Sequence, residues 1–85
     1  MLMSNHNFIV GDSVIWNIDG REGSGYICAF MGYGDDVALV ADLNAIGMPI
    51  NVAWLKRIGS NFDYGERYRI RYLEKFPEQV GKISW

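Results

Sequence analysis

The feature of this sequence that most restricts the fold is a pair of short segments without a polar face. Residues 25–31 read GYICAFM and residues 36–42 read DVALVAD, so apolar side chains occupy odd and even positions alike. Such runs between glycine-containing turns are typical of strands buried on both faces. In a chain of 85 residues, a curled sheet covers one face, and the C-terminal segment or a second subunit must cover the other.

Further segments and connectors complete the predicted sheet. Residues 8–16 (FIVGDSVIW) predict the first strand and residues 48–53 predict the fourth. Residues 32–36 (GYGDD) predict a tight turn, and residues 19–25, which are polar and rich in glycine, predict a flexible loop. Apolar residues then recur at every third position, the spacing of a short 3₁₀ turn that plugs the end of a barrel; they are Val52, Leu55 and Ile58.

Several short strands with glycine turns, at roughly ten-residue spacing, are typical of a small β-barrel or sandwich. We therefore predict one all-β domain. It has a disordered tail at residues 1–7 and a barrel at residues 8–58. Residues 59–85 form a C-terminal β-hairpin that packs on the barrel or on a neighbouring subunit.

The order of these signals resembles the SH3-like small barrels, the group that includes Tudor and KOW modules. The resemblance covers residues 8–58 and follows the motifs Gly11-Asp12-x-Val14, Gly25-x-Ile27 and Val52-x-x-Leu55-x-x-Ile58. Within this group the sequence is most similar to the plasmid-borne type II dihydrofolate reductases, through residues 11–14 and 55–58. That likeness implies a homo-oligomer, because those barrels assemble as tetramers around a central pore.

The active-site residues of that reductase family are not carried over. Where the family lines its pore with a Val-Gln-Ile-Tyr strand, this chain has Met48-Pro49-Ile50-Asn51, and Trp16 stands near the position of a family lysine. The function we predict is therefore a small non-catalytic binding or interaction module. The resemblance alone implies the kind of module that is carried on mobile genetic elements or in small accessory proteins. The alternative is a pore-type oligomeric enzyme with a cavity lined by Met48–Asn51.

The charge is distributed unevenly along the chain. Residues 1–55 carry one cation, Arg21, against six anions, whereas residues 56–85 carry seven cations against four anions, which together give the net charge of −2. The two halves could attract each other within or between subunits, or the basic half could bind an acidic partner. The acidic pI of about 5.1 argues against broad affinity for nucleic acid.

Residues 63–77 admit two interpretations. In a helix, Asp63 and Glu66 would form a capping pair and Pro77 would end the helix, but the apolar side chains would spread over more than half of the circumference. In a strand, residues 67–72 alternate strictly. We prefer the strand, paired in a hairpin with residues 80–85. It places Arg67, Arg69 and Arg71 on one face and Tyr68, Ile70 and Tyr72 on the other.

This arginine face, which Lys75 extends, has three interpretations. It protects an edge strand from aggregation, or it faces nucleic acid or another phosphate-bearing ligand. It could also face an acidic surface of a neighbouring subunit, formed by Asp35, Asp36 and Asp42.

Aromatic residues give the remaining candidate sites. Tudor-like barrels hold cationic ligands in aromatic cages, and a cage here would use Tyr26, Tyr33, Asp35 and Asp36. The other interpretation is ordinary core and interface packing. Tryptophan is enriched where subunits meet, so we expect Trp54, with Met48 and Ile50, at an oligomer contact.

The remaining features exclude several classes of protein. Cys28 is the only cysteine, so no disulfide forms within the chain, and its apolar neighbours indicate a buried thiol in a reduced, cytoplasmic protein. We expect no signal peptide, because the segment MLMSNHNF has neither a basic region nor a long apolar one, and no apolar run reaches the roughly 20 residues that would span a membrane. His6 is the only histidine. We predict no metal site, no cofactor and no catalytic residue.

Overall fold

The computed structural model describes residues 6–85 and contains, in that range, one antiparallel sheet of five strands and one α-helix. The prediction of a small, β-rich fold is confirmed, but the fold is not all-β because it contains this helix. The sheet order is β4-β3-β2-β1-β5. The elements are β1 (Asp12–Ile18), β2 (Arg21–Met31), β3 (Val37–Ala41), β4 (Met48–Asn51), β5 (Lys56–Ser60) and α1 (Phe62–Lys75).

The turn between β1 and β2 is shorter than predicted. Asp19 and Gly20 both have positive φ, 53° and 81°, which is the backbone of a two-residue type I′ hairpin turn. The strand β2 therefore begins at Arg21, and the flexible loop predicted for residues 19–25 is wrong. The tight turn predicted between the second and third strands is confirmed, because residues Tyr33–Asp35 form a 3₁₀ turn there.

A bulge in β2 divides the apolar residues between two cores. The register with β3 shifts between Ile27 and Ala29, so Cys28 and Ala29 belong to the same face although they are consecutive. One face of the sheet curls around an inner core of Val10, Val14, Ile27, Phe30, Ala38, Val40 and Ile50. The other face packs with α1 in an outer core of Cys28, Ala29, Leu39, Ala41 and Tyr72.

The sheet is open rather than closed. The strands β4 and β5 are its two edges and, in the described part of the chain, do not pair with each other, so the closed barrel of the prediction is not seen. The 3₁₀ turn predicted after β4 is confirmed at Val52–Trp54. Ile58, expected on that turn, lies on β5, a strand that was not predicted because all five of its residues are exposed.

The strand predicted for residues 67–72 is wrong, because these residues lie in α1. The side chain of Asn61 accepts a hydrogen bond from the Tyr64 amide at 3.2 Å and caps the first turn, and the helix ends two residues before Pro77. The spread of apolar side chains around the circumference did not exclude a helix, because several apolar side chains of α1 remain outside the packed face. Those more than 40% exposed are Phe62, Tyr64 and Ile70.

The predicted C-terminal hairpin is also absent from the described residues. Residues Pro77–Gln79 form a 3₁₀ turn, and the last residues return to the sheet instead of pairing with residues 66–76. Ser84 forms an isolated antiparallel bridge with Phe30, with both amide-to-carbonyl distances at 2.8 Å. The C-terminal segment therefore ends beside β2.

Residues 1–5 of the predicted disordered tail lie outside the described residues, and the ring of His6 stacks on Phe30 with 4.6 Å between centroids. Within residues 6–85 the structure has no helix long and apolar enough to cross a membrane.

Candidate binding cleft

A cleft of about 570 Å³ opens where α1 leaves part of the sheet uncovered. We call it the tyrosine–arginine cleft after its characteristic side chains, which are Tyr26, Tyr64, Tyr68, Arg67 and Arg71. The strands β1, β2 and β5 form its floor, α1 forms one wall, and the loop after β3 forms the other. The remaining lining residues are Ser13, Ser24, Gly25, Asp42, Leu43 and Ile58.

The helical period brings the wall residues together. Residues three and four apart share one helix face, so Tyr64, Arg67, Tyr68 and Arg71 line the same side of α1. The alternating pattern of residues 67–72 separates arginine from tyrosine only in a strand. In the helix it interleaves them on one surface, and this surface was missed by the sequence analysis.

The tyrosine rings are packed against one another. The ring of Tyr26 meets that of Tyr64 edge-on at 5.3 Å between centroids, and that of Tyr68 in a stacked arrangement at 6.3 Å. The guanidinium of Arg71 lies 6.0 Å from the centre of the Tyr68 ring. These contacts hold an aromatic surface beside a cation, while Tyr64 keeps 43% of its surface exposed.

The helix places Arg69 on a different face from Arg67 and Arg71, and Lys75 lies one turn beyond Arg71 at the last residue of α1. Arg69 lies away from the cleft, with its guanidinium 4.7 Å from the Trp85 ring, and the ammonium of Lys75 lies 5.8 Å from the Phe76 ring. The prediction that Arg67, Arg69 and Arg71 share one face is therefore wrong. Residues on one face of a helix are three or four positions apart, whereas residues on one face of a strand are two positions apart.

The charges that line the cleft sum to one positive charge. Arg67 and Arg71 are the cations and Asp42 is the anion. Asp42 is engaged in its own loop, where its Oδ1 accepts hydrogen bonds from the amides of Asn44 at 2.7 Å and Ala45 at 2.8 Å. The lining of this cleft is therefore net positive although the whole chain is net negative.

The residues predicted for an aromatic cage are not brought together. Tyr26 lies in the cleft, whereas the end of β2 at Met31 is about 16 Å further along the strand, and Tyr33 follows in the turn beyond it. Tyr33 is 88% exposed. Asp35 accepts a hydrogen bond from the Ser84 hydroxyl at 2.7 Å, and Asp36 ends the turn.

The residues predicted for an oligomer contact occupy different environments. Ile50 is buried in the inner core and Met48 packs against that core, so the side chains of β4 left exposed are those of Pro49 and Asn51. Trp54 is 57% exposed. It borders a second cleft, of about 600 Å³, together with Ile15, Trp16 and Lys56.

An ion pair between a buried carboxylate and a half-exposed guanidinium was also missed by the sequence analysis. Asp12 is 2% exposed, and its Oδ2 accepts a hydrogen bond from Nε of Arg57 at 2.8 Å and from the Ile9 amide at 3.0 Å. The Arg57 guanidinium also donates to the Asn7 carbonyl and lies 5.2 Å from the Phe8 ring. The residues are 45 apart in sequence, so no local pattern could have indicated the pair.

The thiol of Cys28 is buried in the outer core. It donates a hydrogen bond to the Leu39 carbonyl at 3.3 Å, and burial raises its pKa from the usual 9.0 to about 12. The predicted burial of this cysteine is confirmed. Among the described residues, no group of three histidine, cysteine or acidic side chains is placed to hold a metal ion.

Comparisons with protein-family models, with curated proteins and with solved structures gave no match to this chain.

Proposed function

We propose that this protein is a small non-catalytic binding module whose site is the tyrosine–arginine cleft and whose ligand carries negative charge next to a flat or apolar group. The observation that carries the proposal is the convergence of two arginines and three tyrosines on one concave surface. Ligand sites are typically concave and apolar with a few polar groups that fix orientation, and this cleft has that composition.

The sign of the lining charge decides between the two ligand classes that aromatic residues suggest. An aromatic cage for a cation gains from ring faces and nearby carboxylates. Here the guanidinium of Arg71 already lies against the Tyr68 ring, and Asp42 is engaged with loop amides. A cationic ligand would meet two like charges, whereas an anion would find two donors with fork geometry.

The environments of the buried polar groups support binding rather than catalysis. Burial keeps the Cys28 thiol protonated well beyond neutral pH, so it is a poor nucleophile. The Asp12 carboxylate is paired with Arg57 and is therefore engaged in the structure. Neither group lines the cleft.

We also propose an SH3-like relationship for residues 8–58. The pairing of β5 beside β1 and the 3₁₀ turn between β4 and β5 support it, because this arrangement curls a meander toward a barrel.

We also propose that the chain forms a homo-oligomer in which Trp54, which is exposed in the single chain, lies at the contact between subunits. Light scattering should give a mass above the 9.7 kDa monomer, and Trp54→Ala should lower it.

The binding proposal is tested with three small ligands that share a benzene ring and differ in charge: phenyl phosphate, benzyl alcohol and benzylamine. Amide chemical shifts in a ¹⁵N-labelled protein report where each one binds. We expect phenyl phosphate to perturb residues 24–26, 42–43 and 64–71, benzyl alcohol to act more weakly, and benzylamine to act least. Equal effects of the three, or shifts that lie elsewhere, would overturn the proposal.

A further inference from the structure

We propose that the ligand of the tyrosine–arginine cleft is single-stranded nucleic acid, bound with a base on the tyrosine surface and its phosphates on Arg67 and Arg71. This inference rests on the binding function proposed above and adds the chemical class of the ligand. The bound stretch of the strand is short, because the cleft has a volume of about 570 Å³ and is lined by two cations.

The aromatic surface supplies a place for a base. Aromatic side chains bind single strands by stacking on the bases, whatever the sequence. Tyr64 is the most exposed of the three rings and is held from behind by the edge-on contact with Tyr26. A ring that is already positioned loses little conformational freedom when a base stacks on it.

The arginines supply places for phosphates. Arg67 and Arg71 are four residues apart on α1, which corresponds to a rise of about 6 Å between their backbone positions, and both line the cleft. Each can donate two parallel hydrogen bonds to a phosphate. Because Tyr68 lies between them in the sequence and lines the same cleft, a strand that follows the helix would meet both cations and the ring.

A single strand fits this surface better than a duplex. In a duplex the base faces are stacked on their neighbours and only the base edges are accessible, whereas a single strand can present its base faces to aromatic side chains. The acidic balance of the rest of the chain limits the number of phosphates in contact, so the footprint is local. An acidic peptide would use the same arginines but would have no base for the tyrosines.

The two phosphate contacts set the expected salt dependence. For single strands the slope of log K against log salt is about −0.7 for each phosphate neutralised. Two contacts therefore predict about sevenfold weaker binding when salt rises from about 50 to about 200 mM. In Arg71→Gln one contact remains, and the same change in salt should weaken binding only about 2.5-fold.

The experiment is fluorescence anisotropy of the full chain with a short labelled oligothymidylate, its abasic analogue of equal length, and a poly-glutamate peptide. We expect the oligothymidylate to bind and the other two to bind about tenfold more weakly, since stacking is lost. Tyr64→Leu should reduce binding by about tenfold while Tyr64→Phe preserves it. Arg69→Gln removes the same charge outside the cleft and should keep the salt dependence of the wild type.

Each other outcome overturns the inference. Equal binding of the oligothymidylate and the abasic strand would mean a phosphate-only contact, and preferential binding of poly-glutamate would assign the cleft to an acidic protein. A salt slope unchanged in Arg71→Gln would place the strand elsewhere. If the oligothymidylate fails while phenyl phosphate still perturbs the cleft, the ligand class is wrong and the binding site stands. If both fail, both proposals fall.

Discussion

Gly65 on α1 lies directly against Gly11 at the entry to β1. A Cβ atom at Gly65 would be 2.4 Å from the backbone nitrogen of Gly11 and 2.9 Å from the Ile27 carbonyl oxygen. The Gly11 carbonyl in turn accepts a hydrogen bond from the Asn61 amide at 2.7 Å. This close backbone contact sets the height of the first helical turn above the sheet, and Tyr64, the preceding residue, is thereby placed against Tyr26.

We expect Gly65→Ala to destabilise the protein by about 1–3 kcal/mol, because the new methyl group must displace backbone atoms. Alanine is otherwise the better helix residue by about 0.5–1 kcal/mol, so packing and propensity oppose each other. Urea unfolding measures the balance. The control is Gly81→Ala, where a Cβ atom would have no neighbour within 4 Å beyond the adjoining residues and a change within about 0.5 kcal/mol is expected. A Gly65→Ala protein as stable as the wild type would contradict the contact.

The ion pair between Asp12 and Arg57 should behave as a coupled unit. Asp12→Asn leaves a similar shape but removes the charge that holds the guanidinium, and we expect a loss of about 1–3 kcal/mol in the free energy of unfolding. Arg57→Gln should cost more than Asp12→Asn, because it leaves the Asp12 carboxylate, 2% exposed, without its cation, whereas the Arg57 guanidinium freed in Asp12→Asn is 43% exposed and can be hydrated. A double-mutant cycle by urea unfolding measures the coupling, and purely additive losses would show that the pair contributes nothing.

The buried thiol gives a prediction for chemical reactivity. Near neutral pH, the folded chain should react with iodoacetamide far more slowly than the chain unfolded in guanidinium chloride. The reason is the pKa of Cys28, about 12 instead of 9.0, which lowers the thiolate fraction on the order of a thousandfold. Labelling followed by mass spectrometry measures the two rates. Similar rates would mean that the thiol is exposed.

The same pKa gives the direction of the change in stability with pH. The folded state holds the Cys28 proton more tightly than the unfolded state does. The resulting contribution to the free energy of unfolding is complete below about pH 9 and is lost as the pH rises toward 12. Urea midpoints should therefore fall across that range. Cys28→Ala removes this part of the decline and leaves the part due to Tyr72, whose pKa is also raised by burial. An unchanged decline in the variant would contradict the assignment.

The two cores show which parts of the fold could be predicted. The segments around Ile27 and Leu39 are apolar on both faces, and this pattern located two central strands without any information from distant residues. It could not locate β5, because the pairing of Arg57 opposite Val14 depends on backbone hydrogen bonds and leaves every side chain of the strand exposed. Propensity at Tyr68 and Ile70 favoured a strand, and tertiary packing of α1 overrode it.

The cleft was missed for a related reason. Tyr26, Tyr68 and the two arginines were noticed in the sequence, but a strand at residues 67–72 places arginine and tyrosine on opposite faces. With Asn61 as the cap and a period of 3.6 residues, Arg67 and Arg71 join Tyr64 and Tyr68 on one surface. The choice between the two periods therefore decided whether a site could be seen at all.

The most direct test of the binding site compares the affinity for phenyl phosphate of two variants that lose the same charge from the same helix. Arg71 lines the cleft, whereas Arg69 lies against Trp85. Titration followed by amide chemical shifts should show Arg71→Gln binding about three- to fivefold more weakly than the wild type, as expected for one exposed charge pair, and Arg69→Gln binding like the wild type. Equal losses in the two variants would mean that the anion responds only to overall charge and that the cleft is not its site.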